Sequence, residues 1–176
     1  CLGDTGAMFG HSPPALAQAL AEQAAQGLTC MLPGTRAAAV GAGLQRVFGL
    51  PMWQMALSAS DANRFVLRWA RAITARPVLL VFDGCYHGAV DDTLVDHDPV
   101  SGATLPRPSV LGQVHNHAQF TRVIPFNDLA ALETALSPGD VACLLAEPAL
   151  TNFGLVPPAP GLFSTMNGLP VCTPRL

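Results

Sequence analysis

The chain has 176 residues, half of them hydrophobic, with a mean hydropathy of +0.36 and a formal charge of −3, enough apolar surface for one domain with a sizeable core and too much for a disordered chain. Its charges are scattered rather than gathered into the basic stripe a nucleic-acid partner requires, and no apolar run approaches the roughly 18 to 20 residues of a membrane span. The five cysteines are widely spaced and never form C-x-x-C, which argues against a zinc site or a disulfide framework, and no metal is expected.

No signal-peptide pattern opens the chain, so a cytoplasmic protein is expected. Because the first residue is Cys1 and a Gly-rich segment follows at once, the chain is expected to begin inside a longer one. Ser12-Pro13-Pro14 predicts a helix entry capped by Ser12, with Leu16 and Leu20 on one face and Gly27 as the stop. A second helix is predicted from Thr35 to Phe48, where Val40, Leu44 and Val47 are spaced for burial and Gly49 and Pro51 end it.

Ser58-Ala59-Ser60-Asp61 supplies capping groups for a third helix to about Thr74, in which Phe65, Trp69 and Ile73 recur at helical spacing and Arg64, Arg68 and Arg71 line a different face. Val78 to Phe82 is a compact apolar run of the kind found in strands buried on both faces. Asp83-Gly84 turns at its carboxyl end. Residues 91 to 125 carry no sustained period and read as loops with an edge strand. Asn127 is the expected cap of a helix through Leu136, followed by a second buried strand over Val141 to Ala146 that ends at Glu147-Pro148. Helices alternating with strands imply an α/β fold with a mainly parallel sheet and flanking helices.

In such a sheet ligands bind beyond the carboxyl ends of the strands, where Asp83 to Gly88 and Glu147-Pro148 fall. The helix opening at Ser58 can point its unpaired amides at a phosphate, with Ser58 and Ser60 adding hydroxyls, although a plain N-cap accounts for this segment taken alone. Tyr86 can stack on a flat heteroaromatic ring or serve as a core tyrosine. Cys85 and His87 invite a thiol-protease reading, but residues two apart on a strand or turn need not hold sulfur and imidazole in contact.

The order of these segments carries a more specific signal. Gly3 to Pro14 resembles the D-x-x-x-x-x-G-H-x-x-P segment of class III pyridoxal-phosphate aminotransferases, and Ser58 to Asn63 with Leu67 to Thr74 resembles their S-G-T-E-A-N phosphate loop and A-L-R-x-A-R helix. Phe82 to Gly88 is similar to F-x-G-x-Y-H-G. Glu147-Pro148 with Asn152, Gly154 and Pro157 to Gly161 is similar to E-P-x-x-x-N-x-G and P-P-x-P-G. The four matches fall in family order over residues 3 to about 163, nearest to members like glutamate-1-semialdehyde 2,1-aminomutase.

The resemblance implies the large domain of the fold type I transferases, with pyridoxal 5'-phosphate as cofactor. Ser58, Ala59 and Ser60 would hold its phosphate and Tyr86 would cover one ring face. His87 and Glu147 would sit beside the ring or substrate, with Asn152 supporting that wall. It also implies small-molecule partners, an amino donor and a keto or aldehyde acceptor, and, for the intact enzyme, a homodimer. Ala59 stands where the family has Gly, which restricts the loop.

The basic side chains are nine arginines without a single lysine, so the residue through which such enzymes bind their cofactor covalently is missing. After Phe163 the sequence shows no helical period and two prolines, so residues 164–176 are expected to lie outside the fold, leaving residues 1–163 as a partial cofactor-binding domain. The leading expectation is an incomplete, inactive copy of such an enzyme. A non-catalytic module that binds pyridoxal phosphate or another phosphate ligand is the alternative. A generic nucleotide-binding α/β domain comes last, because neither G-x-G-x-x-G nor G-x-x-x-x-G-K-S/T occurs.

Overall fold

The computed structural model describes residues 4–29, 31–166 and 171–172. The chain divides into two compact units, Cys1–Trp53 and Gln54–Leu176.

The first unit contains a 3₁₀ turn, Asp4–Ala7, and two helices, α1 (Pro14–Gln26) and α2 (Ala37–Phe48). The N-cap of α1 is Pro13 and not the expected Ser12, and it makes no side-chain capping bond. The cause is local: Pro14 holds the residue before it in extended backbone (φ −59°, ψ 129°), so the helix cannot start earlier and Ser12 lies one residue too far out. Helix α2 ends as expected at Gly49, whose left-handed φ of 74° lets its amide reach the Gln45 carbonyl at 2.8 Å. The apolar spacing does not produce burial here. No residue of α1 or α2 is buried, and Leu16, Leu20, Val40 and Val47 are exposed while Leu44 is half-buried.

The second unit is built on β1 (Val78–Phe82), which pairs in parallel with β4 (Thr121–Ile124) on one side and β5 (Val141–Leu145) on the other. A two-residue strand β6 (Val171–Cys172) pairs in parallel with β5, giving the order β4-β1-β5-β6. This is the expected parallel α/β sheet. All residues of β1 and β5 are buried, because both faces are covered.

On one face Leu80, Phe82 and Leu144 pack against Leu132 of α4 (Leu129–Leu136) and Leu162 of α5 (Leu162–Thr165). On the other, Leu79, Val81, Cys143 and Leu145 pack with Leu67 of α3 (Ala59–Thr74) and with Val95 of β2 (Val95–His97). Strand β2 forms an antiparallel hairpin with β3 (Thr104–Pro106). Thr104 accepts the Val123 amide at 2.9 Å, tying this hairpin to β4. The segment expected to consist of loops with an edge strand thus contains a hairpin and the strand β4 beside β1.

In the second unit, too, some sequence expectations meet a different outcome. Phe65, Trp69 and Ile73 of α3 remain 44 %, 68 % and 75 % exposed, and Leu67 is the buried residue of that helix. Two of the three arginines tie the helix to the loop and strand beside it: Arg64 donates to the Ala89 carbonyl at 2.7 Å, and Arg71 to Asp92 at 2.7 Å and the Pro77 carbonyl at 2.9 Å. Helix α4 is capped by Asp128, which accepts the Ala131 amide, and not by Asn127. Asn127 takes a left-handed φ of 67°, which asparagine tolerates, and its amide spans the chain to Pro157 and Ala159. Within the segment expected to lie outside the fold, Met166 is 3 % exposed in the α4 and α5 cluster, and Val171–Cys172 extends the sheet. One helical turn and a two-residue strand are too short to leave a period in sequence.

Candidate active site

The carboxyl ends of β1 and β5 and the amino end of α3 converge, as the placement of the motifs predicts. Ser58 is in extended backbone and accepts the Asp61 amide at 3.1 Å while its hydroxyl donates to the Asp61 carboxylate at 2.9 Å. It therefore acts as a helix cap. The amides of Ala59 and Ser60, in the first turn, have no carbonyl a turn earlier in the helix to bond, and the positive end of the helix dipole lies with them.

Past Phe82 the chain turns at Asp83-Gly84, with the Asp83 amide bonded to the Ile124 carbonyl at 2.8 Å. The loop that follows is laced to α3. Ser60 Oγ accepts the Ala89 amide at 2.9 Å, Asn63 donates to the His87 carbonyl at 2.9 Å, and Arg64 donates to Ala89. Gly88 lies between them at φ +83°, where a Cβ would run into Ser60 Oγ. Only glycine allows this approach without strain. Because Ser60 accepts with a lone pair, its own hydrogen stays available to a ligand.

Tyr86 is 63 % exposed beside this junction, so its ring is available as a face. His87 is 7 % exposed and its Nε2 is buried without a hydrogen-bond partner. Burial lowers its pKa to about 4, against the opposing pull of Glu147 and of the Leu145 backbone, so the imidazole is neutral at pH 7. Cys85 is also buried. Burial first, and then the negative charge of Glu147, push its thiol up to about 12, against the pull of Arg107, so it is no thiolate nucleophile.

Glu147, two residues beyond β5, accepts the Tyr86 amide through Oε1 at 2.7 Å. Its Oε2 accepts the Thr151 amide at 3.1 Å and the Thr151 hydroxyl at 2.9 Å. The structure therefore links Ser60, His87, Tyr86 and Glu147 through one loop. Asn152 is placed apart. It lines a cavity of about 520 Å³ with Asp83, Cys85, Arg107 and Phe153, and Ser58 to Ser60, Tyr86 and His87 do not line it. Sequence reasoning expected the glycines around Tyr86 to let the backbone approach closely, and Gly88 makes such an approach to Ser60. It assigned no role to Asn63 or Thr151, of which Asn63 sat inside a quoted motif.

Residues 5–171 match the family described as class-III aminotransferases. The chain belongs to that family. It is 35 % identical over 162 residues to a glutamate-1-semialdehyde 2,1-aminomutase of Sorangium cellulosum, covering 90 % of this chain and 37 % of the relative. Against the crystal structure of a glutamate-1-semialdehyde-aminomutase from Pseudomonas aeruginosa PAO1 the TM-score is 0.88 at 52 % identity, covering 94 % of this chain and 36 % of that one. A second structure of the Pseudomonas enzyme, in complex with PMP, matches equally. A transaminase with PLP bound has a TM-score of 0.75 at 26 % identity. The fold of this class III chain is thus the α/β fold of these aminotransferases, and the chain spans about a third of the length of the relatives it matches. Among the described residues no helix is long and apolar enough to cross a membrane.

Proposed function

We propose that this chain holds pyridoxal 5'-phosphate at the amino end of α3, as the cofactor-binding part of an aminotransferase or aminomutase that moves an amino group between an amino donor and a keto or aldehyde acceptor. The observation that carries the reading is the junction at Gly88, where a glycine that no other residue can replace without strain presses the Tyr86–Gly88 loop onto Ser60. The residues fit a flat, phosphorylated ring. Ala59 and Ser60 offer first-turn amides and a hydroxyl to the phosphate, Tyr86 offers a ring face, and the unpaired Nε2 of neutral His87 is a polar atom in want of a partner. Glu147 and Asn152 belong to the surrounding wall.

When bound, the cofactor supplies an electron sink for the substrate carbon that loses a proton. This chain's residues bind and orient it. With no lysine in the sequence, the chain retains the cofactor without a covalent bond and does not turn over by itself. The same reading extends to a cytoplasmic homodimer, supported by the exposed apolar side chains of α1 and α2. A sedimentation experiment showing monomer alone would remove that extension.

The deciding experiment is titration of the chain with pyridoxal phosphate, followed by cofactor absorbance. Saturable binding that weakens in Ser60→Ala is expected. Absence of saturable binding by the folded chain would overturn the reading.

A further inference from the structure

We propose that Glu147 is a positioning residue, whose carboxylate joins the loops beyond β1 and β5 and so sets the width of the groove between them, without touching the cofactor. The proposal rests on the cofactor reading in one respect: the groove width matters because a ring lies beside Tyr86.

Each oxygen of Glu147 holds a different loop. Oε1 takes the Tyr86 amide, 61 residues away in sequence, and Oε2 takes the amide and hydroxyl of Thr151. Hydrogen bonds to an ionised acceptor are roughly twice as strong as neutral ones. A carboxylate offers about four lone-pair positions, and the chain's own donors occupy three of them. Among the described residues no arginine or histidine forms an ion pair with Glu147, so its charge rests on N–H and O–H dipoles. An anionic cofactor brought against it would meet like charge.

The same two loops meet again at Gly84 and Phe153. Gly84 has φ +77°, and a Cβ there would stand 3.1 Å from the Phe153 ring. The loop beyond β5 is itself stiff. Leu150 is buried and exchanges two backbone bonds with Val156, at 3.0 and 2.9 Å. Its far end is held where Asn127 donates to the Pro157 carbonyl at 3.1 Å and accepts the Ala159 amide at 2.7 Å. Glu147 therefore couples the Tyr86 loop to a braced wall carrying Asn152, and a change at Glu147 is transmitted as a displacement of one loop against the other.

The test uses the 176-residue chain with Glu147→Gln, Glu147→Ala and Thr151→Val, each checked for an unchanged fold by circular dichroism. Hydrogen exchange at the Tyr86 and Thr151 amides is measured without ligand, and pyridoxal phosphate affinity by titration. Glutamine keeps one acceptor oxygen, so exchange should accelerate at one of the two amides with a loss of about threefold in affinity; alanine should free both amides and lose about tenfold. Thr151→Val, which leaves the carboxylate in place, should lose less than alanine. A Glu147→Ala chain that loses affinity with both amides as protected as before would show direct contact with the cofactor and overturn the proposal. Unchanged affinity with both amides freed would overturn it equally. If the wild type shows no saturable binding, the cofactor reading fails, and the exchange rates alone decide whether Glu147 joins the loops.

Discussion

Ser60 Oγ accepts the Ala89 amide at 2.9 Å while the α-carbon of Gly88 faces the same serine with no room for a Cβ. The first turn of α3 and the loop beyond β1 therefore form one packed junction. Gly88→Ala should destabilise the chain by about 1 to 3 kcal/mol, combining left-handed strain with overpacking against Ser60. Gly139→Ala is the control, since Gly139 has φ +71° but nothing within 4 Å of its Cβ position. Urea denaturation should show a larger loss at Gly88. Equal losses would mean that the contact with Ser60 costs nothing.

The two serines of α3 should separate by readout. Ser58 is spent on capping, so Ser58→Ala should lower stability by about 1 kcal/mol and leave cofactor affinity nearly unchanged. Ser60→Ala should lower affinity for pyridoxal phosphate by about 1 to 3 kcal/mol, the range for a bond to a charged group. Denaturation and titration of both variants check this. The reverse pattern would transfer the phosphate contact to Ser58.

His87 links stability to pH. Its pKa falls from 6.5 to about 4 on folding because burial disfavours the cation. The unfolded chain therefore binds the extra proton between those values, and stability is full above about pH 6.5 and declines as the pH falls toward 4. The span corresponds to about 3 kcal/mol for this group. His87→Phe should flatten that part of the profile. An imidazole that titrates near 6.5 by NMR in the folded chain would contradict the buried, neutral state.

Asp140, like His87, contributes less stability as the pH falls, but through an ion pair and not through burial. A hydrogen-bonded pair with Arg122, at 2.9 and 3.1 Å, holds its pKa below the usual value. Its contribution is present above the unfolded value of about 3.9 and is lost as the pH falls through the folded one. The advantage of wild type over Asp140→Asn should accordingly persist at pH 7, fade below about pH 4 and shrink in high salt. A difference that survives undiminished at pH 2 would assign it to packing.

With its amino terminus blocked, the chain should yield no borohydride-reduced pyridoxal adduct and no transamination, because it has no side-chain amine. Mass mapping of peptides after reduction checks the first point. Turnover of an amino donor by the blocked chain would overturn the incomplete-enzyme reading.

Features written into short stretches of sequence were legible. Ser58 caps α3 because cap and partner lie three residues apart, and β1 and β5 were evident because strands covered on both faces must be apolar throughout. Features set by distant partners were not. Asn127 looked like a cap until Pro157 and Ala159 were seen to occupy its amide, and Phe65, Trp69 and Ile73 share a helical stripe while Leu67 meets the sheet. At the site, the Tyr86 to Gly88 motif located the loop. Nothing local to Glu147 announced that its acceptors would be consumed by residues 61 and 4 positions away.

The pairing of β1 with β4 and β5 has a kinetic corollary. The partners of its residues lie roughly 40 and 60 positions further along, so the central strand of the sheet cannot close any ladder until most of the second unit has been made. During synthesis the run Val78 to Phe82 waits as an unpaired apolar strand, the state in which nascent chains stick to one another. Refolding yield should therefore fall with protein concentration more steeply than stability alone dictates, and a ligand that engages only the finished α3 junction would arrive too late to prevent it.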